Sequence, residues 1–266
     1  MNRTLSSFLI PATASFLSGC NAGQPDVFER LSSGNAQIVD MTHALSADMP
    51  FWPNPNGNPF RHDTLRAHPD GAPMMAAYAT PEHHGTHLDA PIHGGPGQAS
   101  VDQLTASELF GPAVVIDVRE HVAANPDYQL SAEDLRAWEA AHGAIPNGAI
   151  VLLRSGWDDR WTTSARYQNV DARGVMHFPG FSEDAARYLM NERRINGIGT
   201  DTPSVDHGPS RDFPVHGIVN GGGKYHLENV ANVGRLPATG AFLIVAPIKI
   251  AGGSGGQVRI FGVLPE

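Results

Sequence analysis

Four histidines and an aspartate fall within eleven residues, His83-His84-Gly85-Thr86-His87-Leu88-Asp89-Ala90-Pro91-Ile92-His93. Pro81, Gly85 and Pro91 forbid a continuous helix here, since proline lacks an amide N–H and clashes with the preceding turn. An extended segment kinked at Gly85 can instead bring His83, His87 and Asp89 around one cation. Two imidazoles and a carboxylate suit zinc or manganese and leave positions open for water and substrate. In extended chain, adjacent side chains point to opposite faces, so His83 rather than His84 is expected beside His87. A polar surface loop is the bland alternative. The stretch 215–230 weighs against it: His216 and Glu228 stand twelve apart across a glycine-rich turn, with His226 close by. The two clusters together offer several metal ligands and one spare acid/base. The chain has no HExxH helix and no GxSxG elbow, and its one cysteine, Cys20, sits near the N-terminus, which disfavours a serine or cysteine nucleophile.

The elements that must hold these residues read as a mixed α/β domain. Residues 112–118 (PAVVIDV) and 148–157 (GAIVLLRSGW) are apolar runs of the buried-strand kind. Residues 36–45, 195–203, 242–250 and 257–264 also have strand character, the last two joined by the turn AGGSGG. Two helices are expected. Ser131 caps 131–143, with Asp134 three residues on and Gly143 as the stop; Ser182 opens 182–193. Strands alternating with only two or three helices point to a mixed sheet rather than a doubly wound one. The Pro- and Asn-rich stretch 49–60, carrying Phe51 and Trp52, is an irregular loop, and a long loop runs from 157 to about 180.

The chain has 266 residues, a formal net charge of -9, 29 glycines and 21 prolines. It carries no basic stripe to displace counterions, so a nucleic-acid partner is not expected. Residues 1–20 combine Arg3, a short apolar run and the ending Leu17-Ser18-Gly19-Cys20, a secretory signal pattern too short to span a bilayer. That ending resembles the lipobox of bacterial lipoproteins, which implies lipidation at Cys20 and anchoring of an exported domain on the periplasmic side of a membrane. A cytoplasmic protein with an incidental cysteine is the alternative. Residues 21–35 read as a tether and a short helix, and 36–266 as one catalytic domain.

The motif His83 to His93 resembles that of the cyclase-like metal hydrolases, which include bacterial kynurenine formamidase and isatin hydrolase. Their hallmark, His-x-Gly-Thr-His-x-Asp-x-Pro-x-His, is matched at every position. Similarity extends through DMTHALSADMPFWPN (40–54), LLRSGW, GIGTDTPSVD, HLENVANV and APIKIAGGSGGQVRIFGVL. The resemblance implies a swivelling β/β/α single domain with a mixed central sheet, working as a homodimer or higher oligomer. It implies one or two divalent ions, zinc or manganese, on His83, His87, Asp89, His216 and Glu228. It implies His93 as the proton donor and acceptor, and Trp52, with Phe51 beside it, as the aromatic substrate contact. The implied reaction is hydrolysis of an amide bond by metal-activated water, in an aryl formamide such as N-formylkynurenine or a cyclic amide such as isatin.

Two other functions fit the same residues. A lactone or dienelactone hydrolase would expel oxygen instead of nitrogen. A non-catalytic, anchored metal- or ligand-binding lipoprotein would saturate its ion with protein ligands and would need no spare His93. Phe51 and Trp52 could equally serve core or dimer packing.

Overall fold

The computed structural model describes residues 27–265. The expected signal segment, Cys20 and residues 21–26 of the expected tether lie outside the described residues. The short helix expected after the tether is α1 (Val27–Ser33).

The remaining elements follow in order: β1 (Ile38–Asp40), β2 (Arg61–Arg66), β3 (Met75–Ala79), β4 (His87–Asp89), β5 (Phe110–Asp117), α2 (Arg119–Ala124), β6 (Gln129–Leu130), α3 (Ala132–His142), β7 (Ile150–Arg154), α4 (Ser164–Gln168), β8 (Gly180–Phe181), α5 (Glu183–Glu192), β9 (Gly197–Thr200), α6 (Pro214–Gly221), β10 (Tyr225–Glu228), β11 (Phe242–Pro247) and β12 (Gly255–Val263). The main sheet runs β1-β12-β11-β5-β7-β9-β10-β4, and β4 pairs again with β12. The sheet therefore closes on itself as a mixed barrel, with β4 paired to residues 255–257 of β12 and β1 to residues 261–263. Its centre is parallel (β5, β7, β9, β10), and its flanks are antiparallel.

Strand alternation sorts the apolar runs into two cores. Ala113, Val115, Ile150, Leu152, Leu88, Leu227, Leu243 and Ile260 fill the barrel. Their neighbours Val114, Ile116, Val151, Leu153 and Ile198 face outward and meet Leu135 and Trp138 of α3, Leu189 of α5 and Val215 and Val219 of α6. A central strand buried on both faces must be apolar at every position, which is why IVLLR reads as a continuous run. Truncating Leu152 or Leu153 to alanine would cost about 2–5 kcal/mol.

Both expected helices form where their caps place them. The Asp134 amide donates to Ser131 Oγ (3.2 Å), and the Ser131 amide donates back to the Asp134 carboxylate (2.7 Å). Ser182 Oγ accepts from the Ala185 amide. Six α-helices are present among the described residues, more than the two or three expected. The additions α2, α4 and α6 are short, and α4 carries its own Thr163 cap. No described helix is long and apolar enough to cross a membrane.

Candidate metal centre

The centre is a block of four side chains on two paired strands. β4 and β10 are antiparallel, with Asp89 opposite His226 and His87 opposite Glu228. Side chains alternate along a strand. Leu88 and Leu227 therefore enter the barrel core, and His87, Asp89, His226 and Glu228 share the opposite face, all buried. Gly85, between His84 and Thr86, has φ +67°, and a Cβ there would sit 2.5 Å from Leu45. This kink lets the chain turn His83 back toward Asp89.

Each imidazole is aimed by a second bond. His87 Nδ1 donates to Gly85 O (2.9 Å), leaving the Nε2 lone pair inward. His226 Nε2 meets Asn220 Oδ1 (3.1 Å), leaving Nδ1 inward. Asp206 caps α6 through the Val215 and His216 amides and also holds His216 Nδ1 at 2.7 Å, so Nε2 faces the cluster. Ser254 Oγ donates to Glu82 (2.6 Å) and so accepts from His83 Nε2 (2.8 Å), which turns Nδ1 onto Asp89.

These groups fit a cation. His87 Nε2 and His226 Nδ1 are buried without a hydrogen-bond partner, yet they lie 3.2 and 3.1 Å from the Asp89 oxygens Oδ1 and Oδ2. An imidazole lone pair facing a carboxylate oxygen is repulsive unless a positive charge sits between them. Buried polar atoms are otherwise almost always paired. His216 Nε2 lies 3.6 Å from Asp89 Oδ2 and 3.5 Å from Glu228 Oε1. The titration behaviour tells the same story. Burial opposes charge on His216, but Asp206, Asp89 and Glu228 outweigh it and raise its pKa to about 10. Burial likewise opposes charge on His87, and Asp89 and Glu228 again raise it. The carboxylates thus call for positive charge, which protons supply if metal does not.

The structure brings His83, His87, Asp89, His216 and Glu228 together, as expected, and adds His226. His84 is buried but turned to Asn58 Oδ1 (3.0 Å). His93 stands at the edge, its Nε2 3.9 Å from Asp89 Oδ2 and its ring 3.9 Å from that of His83. Burial lowers its pKa; Asp89 works the other way, and the imidazoles of His83, His216 and His226 bring it to about 4, so it is neutral at pH 7. Sequence reasoning gave His226 and Asp206 no role. The His-x-Glu alternation in Tyr225-His226-Leu227-Glu228, parallel to His87-Leu88-Asp89, is the signal that could have found His226.

A cavity of about 480 Å³ opens over the cluster, lined by Phe51, Trp52, His93, Tyr167, Phe213 and His216 among others. Trp52 is 45% exposed and Phe213 37%, with ring centroids 6.2 Å apart. Gln168 at the end of α4 donates to Phe51 O, so the long 157–180 segment props the aromatic loop.

A closed mixed barrel with a His/Asp/Glu cluster under an aromatic cavity defines a metal-dependent hydrolase class. The chain belongs to the family described as "Putative cyclase", which matches residues 39–207. It is 34% identical to isatin hydrolase of Roseibium aggregatum over 252 residues, 89% of this chain and 95% of that one. It is 25% identical to kynurenine formamidase of Salinibacter ruber over 224 residues, 84% and 95% of the two chains. An isatin hydrolase structure bound to the product analogue thioisatinate superposes with a TM-score of 0.83 at 32% identity, covering 89% and 95%. The chain is therefore an enzyme, an amidohydrolase of the cyclase family.

Proposed function

We propose that this enzyme hydrolyses the amide bond of a neutral, planar cyclic aromatic amide of the isatin kind. The observation that carries this reading is the cavity wall. Its rings offer a stacking surface, and among its described lining residues there is no lysine or arginine. Asp212 and Glu228 are the acids there. A free amino acid such as N-formylkynurenine would bring its carboxylate to this wall without a cation to receive it, and a desolvated, unpaired charge is costly.

His83, His87, Asp89, His216 and Glu228 would hold the metal. When bound, zinc or manganese supplies activation of water at neutral pH and polarisation of the amide carbonyl. Neutral His93 accepts a proton from the attacking water as the new C–O bond forms. It then hands that proton to the ring nitrogen as the C–N bond breaks, leaving an aryl amine and a carboxylic acid that releases its remaining proton to solvent as a carboxylate. Trp52, Phe51 and Phe213 hold the ring flat and keep bulk water from its faces. The neighbouring isatin hydrolases with bound ligands support a small aromatic substrate.

We propose further that the chain works as a homodimer. The β2–β3 hairpin is exposed at all eleven strand residues, and it carries Leu65, Met75 and Tyr78 in the open. A lone two-stranded hairpin is marginal in water, which supports its use as a contact arm. Export and a lipid anchor at Cys20 rest on residues 1–20 alone.

The test of the substrate reading is a comparison of kcat/KM for isatin, N-formylkynurenine and a small lactone on one metal-loaded preparation. Isatin should lead by at least about 10-fold. Preference for N-formylkynurenine would transfer the reading to the formamidase branch, and lactone-only turnover would replace amide by ester chemistry.

A further inference from the structure

Asp89 has two oxygens that face different histidines, and Glu228 spans the same two sides, its Oε2 lying 3.4 Å from His87 Nε2. Oδ1 faces His83 and His87. Oδ2 faces His226 (3.1 Å) and His216 (3.6 Å). Around Oδ2, the atoms of Asp89, His216, His226 and Glu228 all lie within 4.8 Å of one another. Glu228 Oε1 is 3.5 Å from His216 Nε2 and 3.8 Å from His226 Nδ1. Four ligands about 2.0–2.2 Å from zinc at tetrahedral angles lie roughly 3.4 Å apart. The four observed separations, 3.1, 3.6, 3.5 and 3.8 Å, bracket that edge.

The protonation states suit the same geometry. Asn220 cannot be flipped, because its Oδ1 takes the Gly94 amide (3.0 Å) and its Nδ2 donates to Lys224 O. Oδ1 therefore also receives His226 Nε2–H, and the Nδ1 lone pair points at the other three ligands. His226 is fully buried, has no partner at Nδ1 and does not line the cavity.

We infer that His226 is a metal ligand and that Asp89 Oδ2, His216 Nε2, His226 Nδ1 and Glu228 Oε1 form a zinc position closed by four protein ligands, while His83, His87 and Asp89 Oδ1 form a second position left open by having only three; His216 and Glu228 border the cavity as His83 and His87 do. The inference rests on the metal-hydrolase reading and divides its cluster by role. The closed position has no vacancy for substrate; it fixes β4, β10 and α6 and holds Asp89 in place for the open one. Asn220 acts through His226 as a positioning residue.

The test uses the full chain stripped of metal and titrated with Co(II), whose visible absorption is intense in four-coordinate sites and faint in six-coordinate ones. Cation binding is followed alongside by calorimetry. The expected result is two equivalents, the tighter giving the intense spectrum. His226→Ala should abolish that spectrum and weaken the tighter equivalent by more than about 100-fold, and Asn220→Ala by about 10–100-fold, with the weaker equivalent retained in both. If the variants do not fold, the spectrum of the parent chain decides alone. A single equivalent, a faint six-coordinate spectrum at the tight position, or unchanged binding in His226→Ala would overturn the inference. Isatin turnover alongside such a result would leave the amide-hydrolase reading intact. The expected cobalt behaviour without isatin turnover would uphold the closed position and remove the substrate reading.

Discussion

Asp89 is shared by both halves of the cluster, and its neighbours show it. Burial opposes its charge, but His87, His226 and His216 hold its carboxyl well below the usual range. Asp89→Ala should therefore lose metal and turnover together, read by elemental analysis and isatin hydrolysis on one sample. His93 sits beyond the ligands, so His93→Ala should keep the metal and lose about 10²–10⁴-fold in kcat. Parent-like turnover in that variant would remove its proton role. Asp206 holds the side of the His216 ring turned away from the cluster and caps α6; Asp206→Asn should weaken metal affinity by about 10–100-fold, measured by competition with a chromogenic chelator. At this scale the sequence was legible wherever clustered side chains follow one another along the chain, as in His83 to His93. It was opaque where a residue matters through a partner far along the chain. Asn220 and Asp206 are ordinary polar residues until folding sets them against His226 and His216.

Elements turn those residues into a site. β4 is three residues long and is held on both sides, by β10 and β12. Gly85→Ala forces an L side chain into a left-handed conformation at a cost of about 1–2 kcal/mol, and the contact with Leu45 adds to it. A fall in the urea midpoint accompanied by weaker metal binding is expected, because the kink aims His83. Away from the site, α3 and α5 are joined by Glu139 and Arg193 (2.5 Å). Arg193 holds the Glu139 carboxyl down to about 2, helped by the Ile145 amide and the Tyr188 hydroxyl. A depressed carboxyl stabilises above its unfolded pKa, roughly 4.3, and that contribution is lost as pH falls through the folded value. Glu139→Gln should thus be less stable than the parent at pH 6, with the gap closing toward pH 2.5. A constant gap in denaturation midpoints would contradict the assignment. The helices α3 and α5 could be read from their serine caps, because capping is local. The strand β2, α6 and β10 could not, because β10 owes its strand form to β9 and β4, and α6 owes its start to Asp206.

Closure of the barrel belongs to the whole molecule. It joins β4 to both β10 and β12, residues separated by more than a hundred positions, and nothing local in His87-Leu88-Asp89 announces it. Fold class and the clustering of the motif side chains were legible; closure and the second set of supports were not. The same scale holds the hairpin proposed as an association arm. Light scattering should give a dimer, and Leu65→Asp with Tyr78→Asp should shift it to monomer; a parent chain that is monomeric at every concentration would remove the arm's role. The measurement that tests the account most directly is isatin hydrolysis by the parent chain before chelation, after it, and after zinc or manganese is restored. Turnover should vanish on chelation and return with metal. Turnover that survives complete removal of metal would contradict it.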